Sequence, residues 1–251
     1  MAPAQGLSGL LETVPNTKQS PSFLCAVKEG RGAMAYPCVA SSLAGFIQQI
    51  AVGYVGRGYW FYVAGEIPAH KDPEKTDAKI LSQYGIAVSK WARARRKRSG
   101  QANLQYLRFG RLYVILSSHG SHPFFEAEAF RDVRREPLKV CGYSIGYRRG
   151  QGGWHSSVRI ELEQYLCVRD YFLSLAVHRT ADSLARALRS LPFEPYAPVR
   201  QQLLNILRAV NRARKAAGFD LVPLSALRLR RRPVPVFATV EADGAGDFGT
   251  K

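Results

Sequence analysis

The apolar spacing of this chain changes near Glu163, and that change limits the folds open to it. Upstream lie short β-branched and aromatic runs: Tyr59–Ala64, Leu104–Arg108, Leu112–Ser117, Val140–Tyr147 and Val158–Leu162. Runs of that length, bounded by turn residues, read as strands. Downstream, Tyr165, Leu166, Phe172, Leu173, Ala176 and Val177 fall on one helix face. Thr180 caps a second helix reaching Leu191. Pro192 and Pro195 interrupt the pattern, and Pro198 opens a third helix ended by Gly218. That third helix carries an apolar stripe at Val199, Leu203, Ile206, Leu207 and Val210. Strands first and helices last make an α+β chain.

The organisation expected is a mobile arm over residues 1–22, rich in Pro, Gly, Ser and Thr, then a strand-rich mixed domain over 23–162. A helical segment over 163–218 follows, then a basic arm and loose tail over 219–251. Residues 23–28 read as a first strand, followed by a turn at Gly30–Gly32. Residues 43–52 fit either a buried helix or a strand, residues 124–130 are ambiguous, and Gly150–Gly153 reads as a flexible loop. A helix pair is inserted in the strand-rich domain. Asp72 caps a helix from Pro73 to Tyr84 that stops at Gly85, and Ser89 caps a second over 89–99 that ends at Gly100. There is no internal repeat.

Of 251 residues, 36 are Lys or Arg against 19 Asp or Glu, a net charge of +17. The apolar content of 46 % is that of a folded protein. So large an excess repels itself in a compact chain and points to a polyanionic partner. Arg supplies 26 of the 36 cations, and its planar fork suits phosphates and guanine edges. A GC-rich genome would also favour Arg codons, but not the net excess.

Two windows hold nearly all of that excess. Residues 90–111 carry Lys90, Arg93, Arg95, Arg96, Lys97, Arg98, Arg108 and Arg111 with no acid. Residues 200–232 carry nine cations, including Arg208, Arg212, Lys215, Arg230, Arg231 and Arg232, against Asp220 alone. Clustering of this kind is the footprint of a phosphate-tracking surface. In the first window Arg93, Arg96 and Lys97 share a helix face, with Trp91 and Ala94 directed inward. Asn103, Gln105, Tyr106 and, further on, Trp154 are candidate base contacts. In the second, Gln201, Asn205, Arg208, Arg212 and Lys215 form a polar stripe opposite the apolar one. Arg228–Arg232, followed by Pro233-Val-Pro235, reads as an extended arm able to follow a backbone or minor groove.

The stretch Asp77–Arg98 resembles a helix-turn-helix. Ile80, Leu81 and Tyr84 would be first-helix core, Gly85 the turn glycine, Ile86 the next apolar residue, and Trp91 and Ala94 the packed residues of the second helix. Trp91 is large for that position, and the same spacings fit an unrelated helix pair. The resemblance implies a second helix lying in a DNA major groove, which tilts the expectation slightly from RNA to DNA.

Catalysis has weaker support. His119, His122, Glu126 and Glu128 follow a strand and could hold Mg²⁺ or Mn²⁺ for phosphodiester chemistry. The competing picture is a turn, with Phe124 and Phe125 in the core and the glutamates paired to Arg131, Arg134 or Arg135. Asp72, Asp77, Lys79 and Glu66 form a poorer acid–lysine set. Tyr143 and Tyr147 beside Arg148 and Arg149 read as packing more than as nucleophiles. Gly142-Tyr-Ser-Ile-Gly146 fits the serine-elbow pattern only formally, since Ser144 falls within a strand. No phosphate-loop pattern is present. A nucleic-acid-binding protein without a cofactor is therefore the leading reading. A metal-dependent nuclease or strand-transfer enzyme and a ribonucleoprotein subunit, with further protein partners, are the alternatives.

Cys25, Cys38, Cys141 and Cys167 contain no C-x-x-C pair and read as reduced thiols. No apolar run approaches the ~18 residues of a membrane span, and Met1–Gln19 lacks the features of a signal peptide. The expectation is a cytoplasmic protein with no membrane partner.

Overall fold

A computed structural model describes residues 36–238. The expected first strand at 23–28, the turn at Gly30–Gly32, the arm before them and the tail after residue 238 lie outside those residues.

Residues 43–52 are helical. Ser42 Oγ accepts the Gly45 amide at 3.1 Å and starts α1, Leu43–Gln48. The turn then widens into a π-helical segment, Gln49–Tyr54, and tightens again at Val55–Arg57. Phe46, Ile47, Ile50, Ala51 and Val55 have no exposed surface. A helix apolar on most sides must be covered on most sides, which is why its sequence has no clean helical stripe.

Two antiparallel sheets follow. The first has the order β2-β3-β1-β4, from β1 Tyr59–Glu66, β2 Leu104–Phe109, β3 Leu112–Ser118 and the short β4 Arg131–Asp132. The second is β5 Leu138–Val140, β6 Tyr143–Gly150 and β7 Gly153–Ile160. The strand expected over Val140–Tyr147 is two strands. Cys141 and Gly142 both have positive φ, 49° and 75°, and make the two-residue turn whose twist suits a hairpin. Gly150–Gly153 is no loose loop either. The ladder runs to a Gly150–Gly153 pair, so β7 begins five residues before the expected Val158. Its first half, Trp154-His-Ser-Ser157, lacks the apolar alternation of a core strand.

The inserted helices lie where the capping residues put them. Asp72 Oδ1 accepts the Glu74 and Lys75 amides, and α2 spans Pro73–Gln83. Ser89 Oγ accepts the Ala92 amide, and α3 spans Lys90–Arg98. A single turn of helix, α4 Phe124–Ala127, resolves the ambiguous 124–130 segment. The C-terminal helices are α5 Leu162–Leu175, α6 Ala181–Arg189 and α7 Ala197–Ala216.

One apolar core joins both sheets, α1 and all three C-terminal helices, through residues such as Leu107, Ile145, Val158, Phe172, Leu188 and Ile206. The helical segment is thus built onto the sheets. The stripe on α7 is buried as expected. On α5 the buried line is Val168, Phe172 and Ala176, while Val177 is exposed. A second, smaller core lies under the helix pair and holds Leu81, Tyr84, Ile86, Leu104, Tyr106 and Phe124. Among the described residues no helix is long and apolar enough to cross a membrane.

Candidate nucleic-acid interface

Helix α3 carries six cations in nine residues. It is rotated from the orientation its spacing suggests. Arg93 and Arg96 turn toward the protein: Arg93 Nη1 donates to Gln105 Oε1 at 3.4 Å, and Arg96 Nη1 to the Gly85 carbonyl at 3.1 Å. Trp91 and Ala94 face solvent, and the indole is 75 % exposed. The cause lies beneath the helix. The chain entering β2 presents Asn103 and Gln105, buried amides that need hydrogen-bonding partners, and the Arg93 guanidinium supplies one to Gln105. Asn103 Nδ2 accordingly donates to the Arg93 carbonyl at 3.1 Å. The helix-turn-helix resemblance therefore holds for its first half only. Leu81, Tyr84 and Ile86 are buried and Gly85 has φ 53°, but the second helix does not pack through Trp91 and Ala94. What α3 offers to solvent is Lys90, Trp91, Ala94, Arg95 and Arg98, with Lys97 beside them. Among the described residues none of these four cations has a carboxylate partner.

Several expected nucleic-acid contacts lie in the interior. Asn103, Gln105, Tyr106 and Arg108 are all buried. Gln105 accepts from the Tyr36 hydroxyl at 2.8 Å and donates to the Tyr59 oxygen at 3.1 Å. Tyr106 donates to Asp77 Oδ1 at 2.5 Å. Burial, then the Asp77 carboxylate, holds the Tyr106 hydroxyl well above its ordinary range. Arg108 pairs with the same carboxylate at 2.8 Å. Burial alone would make Arg108 easier to deprotonate, but Asp77 outweighs it and the guanidinium is held charged. Asp77 is thereby committed to the fold, and Asp72 to its cap. Arg111 clamps the turn after β1, donating to the Ile67 carbonyl at 2.8 Å, the Lys71 carbonyl at 2.6 Å and the Pro68 carbonyl. Asn103, Gln105, Tyr106 and Arg108 need partners because they are polar and enclosed, and sequence position alone does not reveal the enclosure.

In the second window the polar stripe of α7 is as expected: Gln201, Asn205, Arg208, Arg212 and Lys215 are exposed. Arg214 is not part of it. That side chain is 2 % exposed and donates to the Ala176, Arg179 and Asp220 carbonyls at 2.5, 2.7 and 2.5 Å. A cation there suits the carbonyl-rich end of α5. The arm after α7 is extended but docked. Ser41 N donates to the Val236 carbonyl at 2.8 Å, and Gln48 Nε2 to Val234 at 2.9 Å. Arg231 lies 4.7 Å over the Tyr196 ring and bonds Gln48 Oε1 at 3.0 Å. Arg228 holds the Leu191 and Phe193 carbonyls. Only Arg230 and Arg232 point away.

Of the residues suggested for a metal, only His122 and Glu126 line a common cavity. His122 Nδ1 accepts the Phe124 amide at 3.1 Å; burial and then nearby Arg96 lower its pKa. Glu128 accepts from the Tyr84 hydroxyl at 2.5 Å. His119 lies beside the Phe61 ring, and Glu126 lines an open cavity of about 370 Å³ with Arg96, Gln101 and His122. Among the described residues no three His, Cys, Asp or Glu side chains are placed to share a metal ion. Phe124 is buried, as the competing picture requires. The arginines expected to pair with these glutamates go elsewhere, Arg134 to Asp132 and Arg131 to Glu136. Tyr143 is buried and accepts the Glu194 amide at 2.7 Å, and Ser144 lies in β6.

One surface escaped the charge windows. Residues 139–160 carry Lys139, Arg148, Arg149 and Arg159 with no acid, and they form the β5–β6–β7 sheet. Four cations spread over so long a stretch do not stand out as a run.

No protein-family model matches the chain, and no significant relative is found among curated proteins or solved structures.

Proposed function

We propose that this protein binds nucleic acid, with the outer face of α3 as its principal contact. The observation that carries the reading is the pairing of Trp91, three-quarters exposed, with Lys90, Arg95, Lys97 and Arg98, none of which has a carboxylate partner among the described residues. On the rest of the described surface Arg131, Arg134, Lys139 and Arg169 are paired with acids, while Arg148, Arg149, Arg208 and Arg212 are not. An exposed indole amid unneutralised cations suits a ligand that is both polyanionic and flat-faced. Phosphates answer the cations, releasing their counterions, and a base or sugar answers the ring. Arg208, Arg212 and Lys215 on α7, with Arg230 and Arg232, supply further phosphate contacts. Asn103, Gln105, Tyr106 and Arg108, all buried, and the half-buried Arg111 keep α3 and the first sheet in place and take no part in contact.

The direct test is titration of the full chain into labelled single-stranded DNA, duplex DNA and RNA at low ionic strength. Saturable binding to at least one, weakened steeply by salt, is expected. Absence of binding to all three overturns the proposal.

A further inference from the structure

We infer that the β6–β7 hairpin is a second contact site, a stacking platform for unpaired bases, which makes single-stranded nucleic acid the preferred ligand. The inference rests on the reading of the protein as a nucleic-acid binder and adds the class of strand it takes.

Strand register sets which side chains of the hairpin share a face. Arg149 pairs with Trp154 and Tyr147 with Ser156, so Tyr147, Arg149 and Trp154 project from one face of the hairpin. Tyr147 and Trp154 stack, with centroids 5.8 Å apart and planes only 13° from parallel. Trp60 of β1 leans on Tyr147 at 5.5 Å, and the Arg134 guanidinium covers Trp60 at 4.4 Å. The series is closed at the Arg134 end and open at the other. Trp154 remains 60 % exposed although Tyr147 lies against it. A large aromatic surface left open and held rigid from behind is costly in water unless something flat covers it.

Charge says what that is. Arg149 stands beside the open indole, and Arg148 and Arg159 lie on the opposite face of the same two strands. Burial, then Arg148, makes Arg159 easier to deprotonate. A phosphate beside a flat ring answers Arg149 and the open indole together, and in a nucleic acid the flat ring next to a phosphate is a base. Only an unpaired base can offer its face to an indole, because duplex bases are already stacked on each other.

The test compares wild type, Trp154→Ala and Trp154→Phe on labelled oligothymidylate and on a duplex of equal length. Trp154 is largely exposed, so all three should fold, which circular dichroism checks. Expected is a loss of about tenfold or more for Trp154→Ala on the single strand, the scale of one base–aromatic stack. Duplex affinity should be unchanged, and Trp154→Phe should recover much of the loss. An unchanged single-strand affinity, or an equal loss on both ligands, overturns the platform. The α3 reading survives either result if a Lys90→Gln/Arg95→Gln/Arg98→Gln variant still weakens binding. If wild type binds neither ligand nor RNA, the α3 reading falls and the platform with it.

Discussion

Asp77 and Arg108 form an enclosed two-pronged ion pair, Nε lying 2.9 Å from both carboxylate oxygens and Nη2 2.8 Å from Oδ2. The pair ties α2 to β2, and the Tyr106 hydroxyl completes the shell around the carboxylate. Removing one member strands the other in a low-dielectric site. Asp77→Leu or Arg108→Met alone should cost about 3–5 kcal/mol of stability. The double replacement Asp77→Leu/Arg108→Met should cost clearly less than the sum of the two single losses. Urea unfolding of the four proteins checks the cycle.

The arginines of α7 divide into two kinds, and substitutions should separate them. Arg214 closes three carbonyls from inside the fold. Arg214→Met should lower stability by about 1.5–3 kcal/mol, the scale of bonds from a charged donor. Arg208→Gln and Arg212→Gln lie on the exposed stripe. They should shift stability by no more than about 0.5 kcal/mol while weakening nucleic-acid binding. Thermal melts beside binding titrations distinguish the two.

The legible parts of the sequence were those set by local chemistry. Asp72, Ser89 and Thr180 cap helices because a short polar side chain satisfies free amides wherever it stands. The α7 stripe is buried because its spacing leaves no other face apolar. Orientation was less legible. Which side of α3 faces inward depends on Asn103 and Gln105 from β2, and spacing within the helix carries no record of them. Arg108, Arg111, Arg214 and Arg231 look like surface charge in a count of cations, yet each is used to close carbonyls, carboxylates or rings. The Tyr147–Trp154 stack arises from strand register, and the polar first half of β7 concealed that register.

Alkaline stability should carry the signature of Tyr84. Burial, then the Glu128 carboxylate that accepts its hydroxyl proton, pushes Tyr84 up to about 12 from the ordinary 10. The folded state thus keeps the phenol protonated where the unfolded state has already released the proton. The stability this contributes is complete below pH 10 and is lost as pH rises toward 12. Tyr84→Phe should unfold at lower urea near neutrality, because the bond to Glu128 is gone. Its stability should fall less steeply across the alkaline range. Urea midpoints of the two proteins across that range decide the point.

The Trp91 indole should matter beyond the charge around it. Trp91→Ala leaves every cation of α3 in place and removes only exposed surface, so stability should hold within about 0.5 kcal/mol. Affinity for nucleic acid should fall at all salt concentrations by a similar factor. A change in salt dependence instead would mean that the indole acts by positioning the cations.

The central claim is that the outer face of α3 neutralises phosphates, and the salt dependence of binding reads that count directly. The measurement compares wild type with a Lys90→Gln/Arg95→Gln/Arg98→Gln variant on one single-stranded oligonucleotide across a salt series. Each lost phosphate contact reduces the slope of log affinity against log salt by about 0.7. The account predicts a slope about 2 smaller in the variant, with its melting temperature unchanged. Equal slopes and equal affinities in the two proteins would contradict it.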